Sequence, residues 1–282
     1  HEIGQAAVNS LRRYGVDTGF IARGGSRLGI YYLEKGASQR PSKVIYDRAG
    51  SSIATAARED FNWNAILEGA SWFHFTGITP ALGDTLADIC EEACATAKQK
   101  GVTVSCDLNY RKKLWSREKA GQVMSRLCKY VDVCIANEED AKDVFGIEAE
   151  DSDITGGRLN FDGYKDVAKK LSDRFGFDKV AITLRTSISA SENNWMGLLY
   201  DGGSFYLSKE YNMKIVDRVG GGDSFGAGLI YGLLSGKSPQ EALEFAVAAS
   251  CLKHSIEGDF NHVSVDEVEN LARGDASGRV QR

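Results

Sequence analysis

Two periodicities alternate along this chain, and that alternation restricts its fold more than any other feature. Short apolar runs, WFHFTG (72–77), VTVSCDLN (102–109), VDVCIA (131–136) and VAITL (180–184), are separated by helix-patterned stretches at 82–100, 116–129, 137–145 and 162–175. Apolar runs of this length, bounded by turn residues, suit strands buried on both faces, and parallel strands need a helical crossover between them. The pattern predicts an α/β fold in which a mostly parallel sheet is covered by helices on both faces. Ligands in such folds bind beyond the carboxyl ends of the strands, so the polar residues that close each run are the first functional candidates.

The two ends of the chain differ from this rhythm. A helix over 3–14 places Ile3, Ala7, Leu11 and Tyr14 on one face, and three extended stretches follow at 18–22, 27–34 and 42–48. Gly and Pro separate them, which predicts a small separate sheet or lid spanning about 18–56. A helix is expected over 58–68. Further on, MGLLYDGGSFYLS (196–208) reads as a hairpin turning at Asp201-Gly202-Gly203, and helices at 223–235, 239–254 and 264–272 complete the chain. No repeat, low-complexity tract or linker divides the sequence, so 1–282 is expected to form a single domain.

Composition narrows the partners. With 34 Lys and Arg against 39 Asp and Glu, the net charge of −5 offers no basic face for nucleic acid. No run of eighteen apolar residues suits a membrane span, and HEIGQAAVNSLRRYG lacks the apolar core of a signal peptide. Six cysteines without CxxC spacing fit core thiols in a reducing, cytoplasmic compartment. Cys90 and Cys94, four apart, read as helix-face thiols rather than zinc ligands. His74 reads as a structural histidine at a strand end, and His254 as a helix-end histidine favoured by the dipole.

The segment that carries chemistry is DRVGGGDSFGAGLIYGLLSG (217–236). Gly220, Gly221 and Gly222 precede Asp223 and an apolar helical run. Glycines ahead of a helix leave outward-facing N–H groups at the positive end of the dipole, a nest for an anion. A carboxylate there would repel an anionic ligand if binding were its whole purpose. It makes sense as the acceptor of a proton from a hydroxyl that attacks a phosphorus held by the nest. The spacing alone also fits a plain glycine turn capped by Asp. Walker A and GxGxxG signatures are absent.

DRVGGGDSFGAG resembles the signature D-T-x-G-A-G-D-x-F-x-A-G of the ribokinase/PfkB carbohydrate kinases, matching at Asp217, Gly220, Gly222, Asp223, Phe225, Ala227 and Gly228. Arg218 and Gly221 depart from the commonest form. The resemblance implies a Rossmann-like, ribokinase-like sheet with a small β-lid, ATP as donor and a sugar hydroxyl as acceptor. Asp223 would be the general base, with the amides of Gly220 to Asp223 as the anion hole. ANEEDA (136–141) is similar to the family's N-x-x-E segment: Asn137 would face the nucleotide, and Asp140 would order Mg²⁺ through water. Without that resemblance the same string reads as a solvated helix start.

GIYYLE, VIYDR, DLNYRKKLW, TLRTS and EGDFN resemble family members that phosphorylate 2-keto-3-deoxygluconate. The resemblance implies that Arg48 and Tyr46 hold the sugar carboxylate, with Tyr31 closing the other side. Arg111 would neutralise charge in transfer, while Asp107, Asn109 and Asp259 would contact substrate. Thr183, Arg185 and Ala249 would line the nucleotide side. Lid closure over 27–48 would exclude water, and lid strands would pair between protomers of a homo-oligomer. Other readings are a kinase of a neutral sugar such as fructose or ribose, and a non-catalytic nucleotide- or sugar-binding protein. The family's opening strand and its G-G-x-x-x-N signature are absent from the chain, which begins in the following helix; omission rather than true loss is expected.

Overall fold

A computed structural model describes residues 1–137, 139–149 and 160–275. The chain is mixed α/β, with a parallel-rich central sheet, helices and a small antiparallel sheet, as the alternating runs predicted. It packs as two compact units: His1–Glu34, Lys43–Ser105 and Arg111–Val131 form the first, and Lys35–Ser42, Cys106–Tyr110 and Asp132–Arg282 the second.

The first unit opens with α1 (Glu2–Arg12). The extended stretch expected at 18–22 is a turn instead. Asp17 Oδ1 accepts the Gly19 N–H at 2.8 Å and Ile21 N–H donates to Thr18, bonds that remove those groups from any ladder. The two later stretches form an antiparallel ribbon, β1 (Ile30–Glu34) with β2 (Lys43–Asp47), in which Tyr31 faces Tyr46. A two-stranded ribbon has little intrinsic stability. Arg27 helps to fix this one, donating to the carbonyls of Asp47 and Ala49 and pairing with the Asp47 carboxylate at 2.7 Å.

The helix expected over 58–68 contracts to a 3₁₀ turn, Arg58–Asp60, and a single turn α2 (Trp63–Ile66), capped by the Asn62 side chain. Beyond it come β3 (Trp72–Thr76), α3 (Asp84–Gln99), β4 (Thr103–Asp107) and α4 (Arg117–Leu127). His74 is exposed on β3, with Nδ1 2.7 Å from the Ser105 hydroxyl that also accepts from Trp72 Nε1. Cys90 and Cys94 lie on the buried face of α3, and burial pushes the Cys90 thiol up to about 12. Such thiols are protonated and unreactive at neutral pH.

The second unit is built around β5 (Val133–Asn137) and β6 (Lys179–Ser187), a parallel pair. The expected hairpin follows as β7 (Glu192–Asp201) and β8 (Ser204–Leu207), turning through Gly202 and Gly203. An unforeseen strand, β9 (Tyr211–Lys214), pairs with the first half of β7. The helices are α5 (Asp140–Phe145), α6 (Phe161–Phe175), α7 (Gly221–Leu234), α8 (Pro239–Lys253) and α9 (Val265–Arg273).

The packing of α7 on α8 follows from sequence. A Cβ at Gly228 or Gly232 would stand 2.9 Å from the Cα of Ala246 or Ala242, so this small-residue seam brings the two backbones into direct contact. Ser238 and Glu241 cap α8 reciprocally, and Ser264 and Glu267 do the same for α9. Each such cap contributes about 1 kcal/mol. The result is a rigid seat for the amino end of α7.

Candidate active site

Gly220 caps α7 in the left-handed region (φ 75°), and the Gly221 N–H donates back to the Arg218 carbonyl at 3.4 Å. Where a Cβ on Gly222 would stand there is nothing within 4 Å, and Asp223 is exposed in the same turn. An exposed carboxylate therefore stands beside open space at the amino end of α7. The next contact is Asp259, whose carbonyl oxygen comes within 2.4 Å of the Cβ position of Gly220. Asp223 and Asp259, far apart in sequence, thus flank one turn.

Asp217 holds this turn from behind. It is buried, and its carboxylate accepts the N–H groups of Val219 and Gly258, both at 3.1 Å, with Lys35 Nζ at 3.5 Å. Burial pushes the Asp217 carboxyl up, but the two amides and Lys35 outweigh it, and the net shift is below the ordinary carboxylate value. Lys35 also pairs with Glu257 at 2.7 Å. Arg218, half-buried, donates to the carbonyl of Ala190 at 2.8 Å, tying the turn to the β6–β7 loop. Burial, and then the neighbouring Arg185 charge, lower the Arg218 guanidinium.

His254 ends α8, as expected. It is buried at 5 % exposure, with Nδ1 2.7 Å from the Ser250 carbonyl, and burial lowers its pKa, aided by the charges of Arg218, Lys253 and Arg185. The ring fills the space beneath Gly221. Lys253 beside it is fully buried, with its stem against Gly220. Sequence reading passed over Lys253 and Lys35, since in a string each looks like an ordinary solvated cation, and marked Arg218 only as a departure from the signature.

The strand ends of the second unit form another cluster. Asn137 and Thr183 are register partners on β5 and β6, and Arg185 lies two residues beyond Thr183. The Asp140 carboxylate, 3 % exposed, accepts from Asn137 N–H at 2.9 Å and Tyr110 N–H at 3.0 Å. Asn137 in turn accepts from the amides of Glu139 and Asp140. Asn109 follows Asp107 with φ 41°, a left-handed backbone that aims the Tyr110 amide at Asp140. Ala249, expected beside the nucleotide, is buried: it packs with Phe245, Val268 and Leu271, and its methyl lies 3.3 Å from the Cβ position of Gly228.

In the first unit, the Arg48 guanidinium lies 4.1 Å from the Tyr46 ring centroid, and Lys113 Nζ 5.9 Å from it. Tyr31 sits 6.3 Å across the ribbon from Tyr46. Two cations on an exposed aromatic floor suit an anionic group. Lys113 was legible only as part of DLNYRKKLW. Arg111, half-buried, opens the turn closed by the Leu114 N–H.

Residues 1–261 match the pfkB family of carbohydrate kinases, and the chain belongs to that family. It is a sugar kinase, a phosphotransferase with an alcohol group as acceptor. It is similar to the 2-dehydro-3-deoxygalactonokinase of Haloferax volcanii, with 33% identity over 276 residues, covering 98% of this chain and 80% of that protein. The 2-dehydro-3-deoxygluconokinase of Thermoproteus tenax is 26% identical over 262 residues, covering 92% and 72%. Among solved structures, the 2-dehydro-3-deoxygluconokinase of Thermotoga maritima superposes with a TM-score of 0.93 at 54% identity, covering 97% of this chain and 81% of that one.

The family implies ATP as donor and, typically, Mg²⁺. The glycine turn fits a phosphate through the positive end of α7 and the open space at Gly222. Among the described residues no group of three or more His, Cys, Asp or Glu gathers to hold an ion, and both Asp140 oxygens are engaged by backbone amides. No helix among the described residues is long and apolar enough to cross a membrane.

Proposed function

We propose that this chain transfers the γ-phosphate of ATP to the C6 hydroxyl of a 2-keto-3-deoxy sugar acid, 2-keto-3-deoxygluconate or its galactonate epimer, giving the 6-phosphate. The observation that carries the reading is Asp223, an exposed carboxylate in the first turn of α7 beside the left-handed Gly220. Asp223 takes the proton as the hydroxyl oxygen bonds to phosphorus and the bond to ADP breaks. The Gly220–Gly222 amides, with Arg111, take up the charge that builds on the phosphoryl oxygens. Bound Mg²⁺ would neutralise the triphosphate, with Asp140 ordering its water. Asn137, Thr183 and Arg185 are assigned to the nucleotide, and Asp107, Asn109 and Asp259 to substrate hydroxyls.

The acid specificity is assigned to Arg48 and Tyr46, with Tyr31 beside them. A carboxylate needs a fixed cation that a neutral sugar does not, and the Arg48–Tyr46 stack supports this. The names of the relatives cited above point the same way. Measuring ATP consumption with both epimeric sugar acids, fructose and ribose side by side tests the reading. Turnover confined to the sugar acids is expected. Turnover with fructose or ribose would remove the acid assignment, and ligand binding without any turnover would indicate a binding protein.

A further inference from the structure

Lys253, the last residue of α8, is 0 % exposed. Lysine is almost never fully buried without a partner that requires its charge, and an aliphatic residue would pack there with no desolvation penalty. The stem passes directly under the anion nest: Cε lies 3.4 Å from the Cβ position of Gly220. Nζ donates to the Ile256 carbonyl at 2.9 Å, and Ile256 N–H returns a bond to the Lys253 carbonyl at 3.0 Å. That closed turn leads into Gly258, whose amide is held by Asp217, and Asp259, whose carbonyl abuts Gly220. Burial lowers the Lys253 pKa, the charges of Asp217 and Asp259 raise it, and Lys35 opposes them.

We propose that Lys253 is a positioning residue for phosphoryl transfer, a tethered internal cation that sets the Ile256–Asp259 loop against the Gly220 turn and holds the nest in its phosphate-binding form. It does not touch substrate. Its charge lies in a water-excluded place behind the amides, where a fixed cation acts more strongly than in solvent. The role rests on the reading of Gly220–Asp223 as the phosphate site.

Lys253→Met keeps the stem and removes the charge, Lys253→Gln keeps a donor for Ile256 without the charge, and Lys253→Ala opens a space the size of propylamine. With wild type turning over a sugar acid, kcat of the Met and Gln variants should fall at least ~10-fold while KM changes far less, the pattern of an interaction expressed in the transition state. Propylammonium should restore part of the Ala variant's kcat, and propanol should not. Melting temperatures of all three variants show which of them fold. Unchanged kcat in either the Met or the Gln variant would overturn the proposal, as would equal rescue by propanol. Failure of the wild type to phosphorylate any sugar would instead strike the kinase reading, and this role would fall with it.

Discussion

The His254 ring stands where a side chain on Gly221 would have to go: Cε1 is 2.4 Å and Nε2 2.8 Å from the Cβ position. This accounts for a departure from the family signature, which usually carries alanine there. Two consecutive residues at the end of α8, Lys253 and His254, thus underlie two consecutive glycines of the nest. The ring is held from below by Ser250 and lies against Trp195, with centroids 5.6 Å apart.

Gly221→Ala should therefore destabilise the protein. In an unobstructed helix the change would gain up to ~1 kcal/mol, but overpacking against a fixed ring costs about 1–3 kcal/mol, so the clash wins. Adding His254→Ala should recover part of the loss. A double-mutant cycle on thermal or urea unfolding checks this, and additive effects would show that the ring and the glycine are not coupled.

Asp217 carries a pH prediction. Its folded pKa lies below the ordinary carboxylate value of 3.8, so the ionised form is favoured in the native state. The stability it contributes is complete above that ordinary value and is lost as pH falls through the lower, folded one. Asp217→Asn should remove this share of the acid dependence and lower stability at neutral pH, because the amides of Val219 and Gly258 would face a weaker acceptor. Urea midpoints of the two proteins should differ steadily above that ordinary value and begin to converge as pH falls below it. Parallel curves would exclude Asp217 as a source of the acid sensitivity.

Arg48→Ala should raise KM for a sugar acid by about 10- to 100-fold, the range for loss of a charge-assisted contact, and leave kcat much less altered. Arg48→Lys should recover little, because an ammonium lacks the planar fork. Lys113→Ala should produce a smaller effect of the same kind, given its greater distance from Tyr46. Initial rates over a range of substrate concentration separate the two parameters. An unchanged KM in Arg48→Ala would remove Arg48 from substrate recognition.

Much of the architecture was readable because periodicity reports burial. The runs that became β5 and β6 are apolar on both faces, and the glycine turn of the β7–β8 hairpin stands out in any string. Where local chemistry competed with pattern, the reading missed. Asp17 bends the chain before 18–22 can extend, and α2 is a single turn despite its apolar residues. β9 exists only because β7 offers it an edge, which no local signal announces. Glycines and aspartates of the candidate site were visible as a motif, whereas the groups that brace them were not. Lys253 and His254 owe their significance to burial under Gly220 and Gly221, a tertiary fact.

The central claim is that Asp223 accepts the substrate proton at a nest that binds phosphate independently of it. The most direct test compares wild type with Asp223→Asn for both sugar-acid turnover and MgATP binding by calorimetry. The account predicts a kcat lower by about 10²- to 10⁴-fold in the variant, the range for loss of a general base. MgATP affinity should be equal or slightly tighter, since a repelling charge is gone. A variant that retains wild-type kcat would contradict the assignment outright.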